Sequence, residues 1–155
     1  MSFREITMKK AALLVFLSSS AFLSGCVGLS EMNEMQTMMD DYTNNDFVSL
    51  TAEPLSLPIQ GIWSGNMGPF LVTMKLQEDG NGEMCSSYAG TDNVSRLKYV
   101  DDVIYSQEGG RFTIMAHSAD SMTLGSPYES SISNRFIEDS ALLEASNYCQ
   151  TYFNS

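Results

Sequence analysis

The sequence predicts a mainly β fold, a small antiparallel meander that closes into a barrel or a tight sandwich and carries one C-terminal helix. Three observations indicate this fold. Short alternating apolar runs lie between residues 61 and 137, turn sequences rich in Gly and Asn separate them, and a helical apolar pattern follows. Closure is expected because it removes the exposed edges of a sheet.

The first hairpin is the clearest local element. Residues 69–77 alternate in polarity, so that one face carries Phe70, Val72, Met74 and Leu76. The sequence Asp79-Gly80-Asn81-Gly82 then predicts a tight turn, because Gly and Asn tolerate positive φ. A strand start is predicted before this hairpin, at residues 61–64.

The later elements follow from the same reasoning. Strands are predicted at residues 83–88, 94–100, 103–106, 111–116, 121–124 and 131–137. In the 111–116 strand we expect Phe112, Ile114 and Ala116 to share one face. A helix is predicted at residues 138–148, where Leu142 and Ala145 lie on adjacent turns.

The N-terminus has the pattern of a secretory signal, with a charged start and an apolar run at residues 11–17 that is too short to span a membrane. The next motif resembles the lipobox of bacterial lipoproteins and consists of Leu23, Ser24, Gly25 and Cys26. The resemblance implies cleavage before Cys26 and acyl chains on its thiol. Val27 follows, as in lipoproteins that Gram-negative bacteria pass to the outer membrane. The alternative is an ordinary secreted protein in which Cys26 is incidental.

This interpretation divides the chain into three parts. Residues 1–25 are the signal peptide, residues 26–60 the lipidated cysteine with a flexible acidic tether, and residues 61–155 the β-barrel-like domain. Prolines within the tether, at Glu53-Pro54 and Leu57-Pro58, interrupt any helix or central strand.

The charge of the mature chain excludes one class of function. After removal of the signal peptide, five basic side chains stand against eighteen acidic ones, a net charge of −13. Such a field repels nucleic acid, and no basic patch in the sequence interrupts it.

Two cysteines remain besides Cys26, namely Cys85 and Cys149. The signal directs the chain to an oxidising compartment, where an isolated pair of cysteines usually forms a disulfide. The alternative is two free buried thiols. No metal site is expected, since the chain holds one histidine, and no cofactor is indicated.

A methionine stripe supports one specific hypothesis. Met32, Met35, Met38 and Met39 recur at helical spacing, and thioether sulfur suits Cu(I). A short helix would therefore gather Met32, Met35 and Met38 as copper ligands. The alternative is an amphipathic segment that packs on the domain or on the membrane.

Catalysis is not expected. Nucleophilic catalysis needs a base beside the nucleophile, and His117, with Ser118 and Asp120 close in sequence, is interpreted as a strand-end residue. The Asp79 turn does not fit a calcium loop, because Met84 stands where that loop needs Gly.

The start of the β region resembles lipocalin-like barrels. Gly61-Ile62-Trp63 matches their Gly-x-Trp signature, and the resemblance implies that a late arginine, here Arg135, packs across Trp63. The strand region is shorter than in a full lipocalin, which argues against a roomy ligand cavity.

The chain is also similar to small lipoproteins of uncharacterised function of the Acinetobacter type. Beside the lipobox, this resemblance lies in the sequences at residues 61–65, 70–76, 79–82 with Cys85, and 145–149.

Together these observations predict an outer-membrane-anchored, non-enzymatic binding or interaction module. The expected partners are the membrane, through acyl chains on Cys26, and an envelope protein. The alternatives are a lipocalin-like carrier of a small apolar ligand beside Trp63, and Cu(I) binding by the methionine stripe.

Overall fold

The computed structural model describes residues 29–44, 46–128 and 132–155. The signal peptide, the lipobox and Cys26 lie outside these residues. Within them, eight antiparallel strands form one closed barrel in which each strand pairs with the next and β1 pairs with β8. The strands are β1 Gly61–Met67, β2 Phe70–Leu76, β3 Asn81–Tyr88, β4 Thr91–Val100, β5 Val103–Ser106, β6 Arg111–His117, β7 Ser121–Gly125 and β8 Ser133–Glu138.

Two helices flank the barrel, α1 at Leu29–Thr43 and α2 at Asn147–Phe153, and a 3₁₀ turn spans Leu57–Ile59. The prediction of a mainly β barrel with one C-terminal helix is confirmed. The methionine-rich segment forms the helix α1, as its spacing indicates.

The strand register follows the alternation in the sequence. The β1–β2 hairpin pairs Gly61 with Leu76 and Met67 with Phe70, so Trp63 lies opposite Met74. The inner faces of the strands then fill the barrel with side chains that are at most 3% exposed. These side chains are Trp63, Val72, Met74, Leu76, Leu97, Ile104, Met122, Leu124 and Phe136. The barrel interior is therefore a packed core.

One strand departs from the predicted alternation. The register of β6 shifts between Ile114 and Ala116, which places Met115 in a bulge. Phe112 and Ile114 pack against the core, whereas Ala116 is exposed. The expectation that all three share one face is wrong, because a bulge reverses the alternation beyond it.

The C-terminal helix begins nine residues later than the sequence predicts, at Asn147. The predicted helix at residues 138–148 is wrong for most of its length. The carboxylate of Asp139 accepts hydrogen bonds from the backbone N–H groups of Leu143 and Glu144, and Leu142 has φ of 56°. These features form a turn, and Ser146 then caps α2 by accepting from the N–H of Cys149.

Residues 46–60 pack on the barrel. The N–H of Glu53 donates to the carbonyl of Tyr99 and the N–H of Leu55 to that of Glu78. Leu55 and Ile59 join the hydrophobic core. The packed part of the chain therefore begins before residue 61, the start of the domain predicted from the sequence.

Candidate functional site

One end of the barrel is closed by the chain that precedes β1. The indole N–H of Trp63 donates to the backbone carbonyl of Ile59, the last residue of the 3₁₀ turn, at 2.8 Å, and Leu55 and Ile59 are buried against the core. The hydrogen bond satisfies the polar atom of a tryptophan that is 1% exposed. This end therefore offers no entrance to the interior.

The opposite end carries a small cavity under α1. We call this end, formed by Met67, Phe112, Gly125 and Asn134 at the strand termini, the barrel mouth. Side chains of α1 lie across it and, together with the strand ends, line a cavity of about 170 Å³ that is partly open to solvent. Met38, Met67 and Phe112 give this cavity an apolar part, while Arg111 and Tyr128 give it a polar part.

Three side chains hold α1 against the barrel mouth. The carboxylate of Asp41 pairs with the guanidinium of Arg111 at 3.0 Å and accepts the hydroxyl proton of Tyr128 at 2.7 Å. Arg111 also lies over the ring of Tyr105, 5.5 Å from its centroid. Burial, and after it the hydrogen bond to Asp41, raises the pKa of Tyr128. Tyr128 therefore remains a hydrogen-bond donor at physiological pH.

The methionine side chains of α1 point in two directions. Met38 lines the cavity at the barrel mouth, whereas Met32, Met35 and Met39 are 51%, 64% and 56% exposed. The set predicted for Cu(I), Met32, Met35 and Met38, therefore does not form one exposed stripe. Copper binding by α1 stays a prediction.

A second depression runs along the outer wall of the barrel. We call the space bordered by Val48, Gln77, Glu83, Arg96 and Lys98 the outer groove; it has a volume of about 430 Å³. The ammonium group of Lys98 donates to the carbonyls of Phe47 and Leu50, which holds residues 47–50 beside the strands. Arg96 and Lys98 are two of the five basic residues outside the predicted signal peptide.

The structure does not bring Trp63 and Arg135 together. Trp63 points into the core, while Arg135 is exposed beside the buried Phe136 on β8. Because neighbouring residues of a strand point to opposite faces, Arg135 lies on the outer surface. The expectation that this arginine packs across the tryptophan is wrong for this chain.

His117, Ser118 and Asp120 do not form a catalytic arrangement. The hydroxyl of Ser118 donates to the carboxylate of Asp120 at 2.5 Å, and this bond lowers the pKa of Asp120. His117 is exposed at the end of β6, where it pairs with Met122 of β7. Across the described residues, no group of three or more His, Cys, Asp or Glu side chains is placed to hold a metal ion.

Cys85 and Cys149 form a disulfide, as their number and the predicted compartment indicate. Both are fully buried in a small cluster with Leu142 and Ala145 on the outside of the barrel. The bond joins α2 to β3. None of the helices in the described part of the chain is long and apolar enough to cross a membrane.

Asp41, Arg111 and Tyr128 are not among the site residues that the sequence predicts. One available signal was the rarity of basic residues, since Arg111 is one of only five that follow the predicted signal peptide. No local pattern connects the three, because Tyr128 and Asp41 are 87 positions apart.

Comparison with known proteins gives one match. The model of the family described as bacterial lipocalin LPS transport optimiser YedD matches residues 44–153. No curated protein and no solved structure matches the chain. The family match covers most of the chain and agrees with the eight-stranded barrel, whose first strand begins with the Gly-x-Trp motif. The chain therefore belongs to the YedD family of bacterial lipocalins.

Proposed function

We propose that this protein is an outer-membrane lipoprotein, anchored through Cys26, that supports lipopolysaccharide transport as a non-enzymatic interaction module. The observation that carries the proposal is the match of residues 44–153 to a family described as an optimiser of that transport. The lipobox at Leu23 to Cys26 supports the anchor.

The packed barrel favours an interaction module over a carrier. Trp63, Met74 and Phe136 occupy the interior with at most 1% of their surface exposed. A drug-sized ligand needs a site of roughly 300–1,000 Å³, whereas the cavity at the barrel mouth holds about 170 Å³. A lipid with several acyl chains does not fit there, so the protein would act on transport through its surface.

The outer groove is the surface best suited to a protein partner. Its volume of about 430 Å³ is enough for side chains of a partner, and Arg96 and Lys98 border it on an otherwise acidic chain. Val48, which is 91% exposed, adds an apolar contact. Exposed apolar and arginine side chains are typical of protein interfaces.

The proposal is tested on the full lipoprotein in its own cells. We expect loss of the protein to slow the arrival of newly made lipopolysaccharide at the cell surface, and Arg96→Glu to slow it similarly. Arg135→Glu is the matched control, since it makes the same charge change at an exposed position on β8, outside the outer groove. An unchanged arrival rate in cells that lack the protein would refute the role in transport.

The mode of action is tested by photo-crosslinking in the same cells. A photoreactive residue at Val48 should capture a component of the transport apparatus. The same residue at Ile137, which is 39% exposed on β8, should not. Equal capture at both positions would exclude the outer groove as the docking surface. A mass of the mature protein without acyl groups on Cys26 would refute the anchor.

The apolar part of the barrel mouth favours a second candidate function, carriage of a small apolar ligand. Met38, Met67 and Phe112 line that cavity, and the lipocalin fold is used by ligand carriers. A carrier predicts a ligand that co-purifies with the protein in stoichiometric amount. Native mass spectrometry of the protein extracted from its envelope distinguishes the two candidate functions. A carrier retains a small ligand, whereas an interaction module retains a protein partner.

A further inference from the structure

We propose that the barrel stands on the membrane with its mouth toward the bilayer, and that α1 lies in the lipid interface through an apolar contact. We call the side chains that make this contact the outer face of α1; they are Met32, Met35, Met39 and Tyr42. The inference deepens the proposed function, because it rests on the anchor at Cys26. It assigns a lipid-contact surface and the direction in which the protein is held.

The outer face of α1 is an apolar stripe that stays accessible in the described part of the chain. Its four members are separated by three, four and three positions, which places them along one side of a helix. They are between 48% and 64% exposed. The barrel mouth is contacted instead by Met38, which lines the cavity there, and by Asp41. A helix with one apolar side left free in this way is suited to lie in a membrane interface.

Further apolar side chains surround the same end of the barrel. Phe70 pairs with Met67 at the barrel mouth, and Tyr88 ends β3 beside it. The two rings are 5.3 Å apart, and they are 44% and 50% exposed. Ile132, which precedes β8, is 47% exposed. With the outer face of α1, these residues are seven of the twelve large apolar side chains that are exposed among the described residues. Tyrosine at such a position is typical of membrane interfaces.

The short chain before α1 selects a lipid surface as the occupant. Two residues separate Cys26 from Leu29, the first residue of α1. Three steps of extended chain reach about 11 Å at most, so acyl chains on Cys26 would keep the start of α1 at the bilayer surface. Arg111 and Tyr128 both contact Asp41 in the last turn of α1. The barrel mouth is therefore held close to the bilayer together with the helix.

The position of the outer groove agrees with this direction. Gln77 and Asn81, which line it, flank the turn between β2 and β3. That turn lies at the end of the barrel opposite the mouth, because β2 begins at the mouth with Phe70. A membrane contact at the mouth therefore leaves the outer groove accessible to a protein partner.

The test places the acylated lipoprotein in phosphatidylcholine vesicles whose acyl chains carry bromine, which quenches tryptophan on contact. Met35→Trp should lose roughly half or more of the emission that the new tryptophan adds, because its ring would lie at the acyl boundary. Tyr88→Trp should be quenched less strongly. Leu143→Trp is the matched control, since Leu143 is 79% exposed and follows β8 at the opposite end of the barrel. The buried Trp63 adds the same background to every variant.

The outcomes separate this inference from the proposals on which it rests. Unquenched Met35→Trp in protein that floats with the vesicles would overturn the inference and leave the anchor intact. Equal quenching at Met35 and Leu143 would overturn it as well, because the protein would then have no fixed direction on the membrane. Protein that does not float would refute the anchor and this inference together. The role in transport is measured independently, by lipopolysaccharide arrival in cells.

Two further measurements examine the occupant of the outer face of α1. The mature chain with Cys26→Ser, which lacks the acylated thiol, should sediment as a monomer. A dimer that Met35→Gln dissociates would show an interface between two copies and would overturn the inference. Phosphatidylglycerol in the vesicles should not increase the quenching of Met35→Trp, because the acidic chain is repelled by anionic lipid. An increase would show attraction by charge and would contradict an apolar contact.

Discussion

Removal of the Cys85–Cys149 disulfide should cost a large part of the stability of this domain. The two residues are 64 positions apart, and the bond closes that loop in the unfolded chain as well as in the folded one. The loop-entropy estimate for such a separation is about 4 kcal/mol of unfolding free energy. Replacement of both residues by Ala removes the bond and leaves no polar group in the buried cluster.

The assay is urea unfolding followed by tryptophan fluorescence. Trp63 is the only tryptophan in the chain and is 1% exposed, so its emission reports exposure of the barrel core. With a denaturant slope of about 2 kcal/mol/M, a loss of about 4 kcal/mol lowers the urea midpoint by about 2 M. A reductant should destabilise the original protein and leave the double variant unchanged.

The variant Ser146→Ala distinguishes the contribution of the disulfide to stability from the contribution of α2 packing on the barrel. This variant keeps the disulfide but loses the cap on the N–H of Cys149 and the hydrogen bond with Ser87, at a cost of about 1 kcal/mol. If the double cysteine variant loses no more stability than Ser146→Ala does, the loop-entropy reasoning is refuted. In that case the docking of α2 would account for the whole effect.

Three further predictions follow from single positions, and the same urea assay checks each of them, with tyrosine emission replacing tryptophan for the Trp63 variant. Gly80→Ala should cost about 3 kcal/mol and Gly90→Ala about 1 kcal/mol. Both glycines have φ near +80°, but only at Gly80 would the added methyl group clash with the backbone of Glu53. Equal losses of stability in the two variants would contradict this close approach. Trp63→Ala should cost about 3–5 kcal/mol because it leaves a cavity in the core, and a loss below about 1 kcal/mol would contradict a packed interior. The contribution of Tyr128 to stability should stay constant up to about pH 10 and fall above it. Burial and the hydrogen bond to Asp41 raise the pKa of Tyr128 above its ordinary value of 10.0, so the folded state favours the protonated form. Tyr128→Phe should reduce this alkaline loss, and an identical pH profile in the variant would refute the assignment.

The local elements of the fold could be predicted from the sequence because each depends on near neighbours. Alternation at residues 69–77 places Val72, Met74 and Leu76 on the inner face of β2. The turn at Gly80 has the positive φ of 80° that its sequence indicates. The helix α1 follows from its spacing, although the direction of Met38 does not.

The sequence alone determined the acidic charge of residues 26–155, the expectation that Cys85 and Cys149 pair, and the period-two pattern of the strands. Tertiary structure decided which residues far apart in the sequence contact each other. Asp41 contacts Arg111 and Tyr128, and Arg135 lies outside the core. The carboxylate of Asp139 forms a turn, so α2 begins later than the sequence predicts. The physical reason is that periodicity fixes which face a side chain takes. The residue that a side chain contacts across the barrel depends instead on strand register, bulges and the packing of segments far apart in the chain.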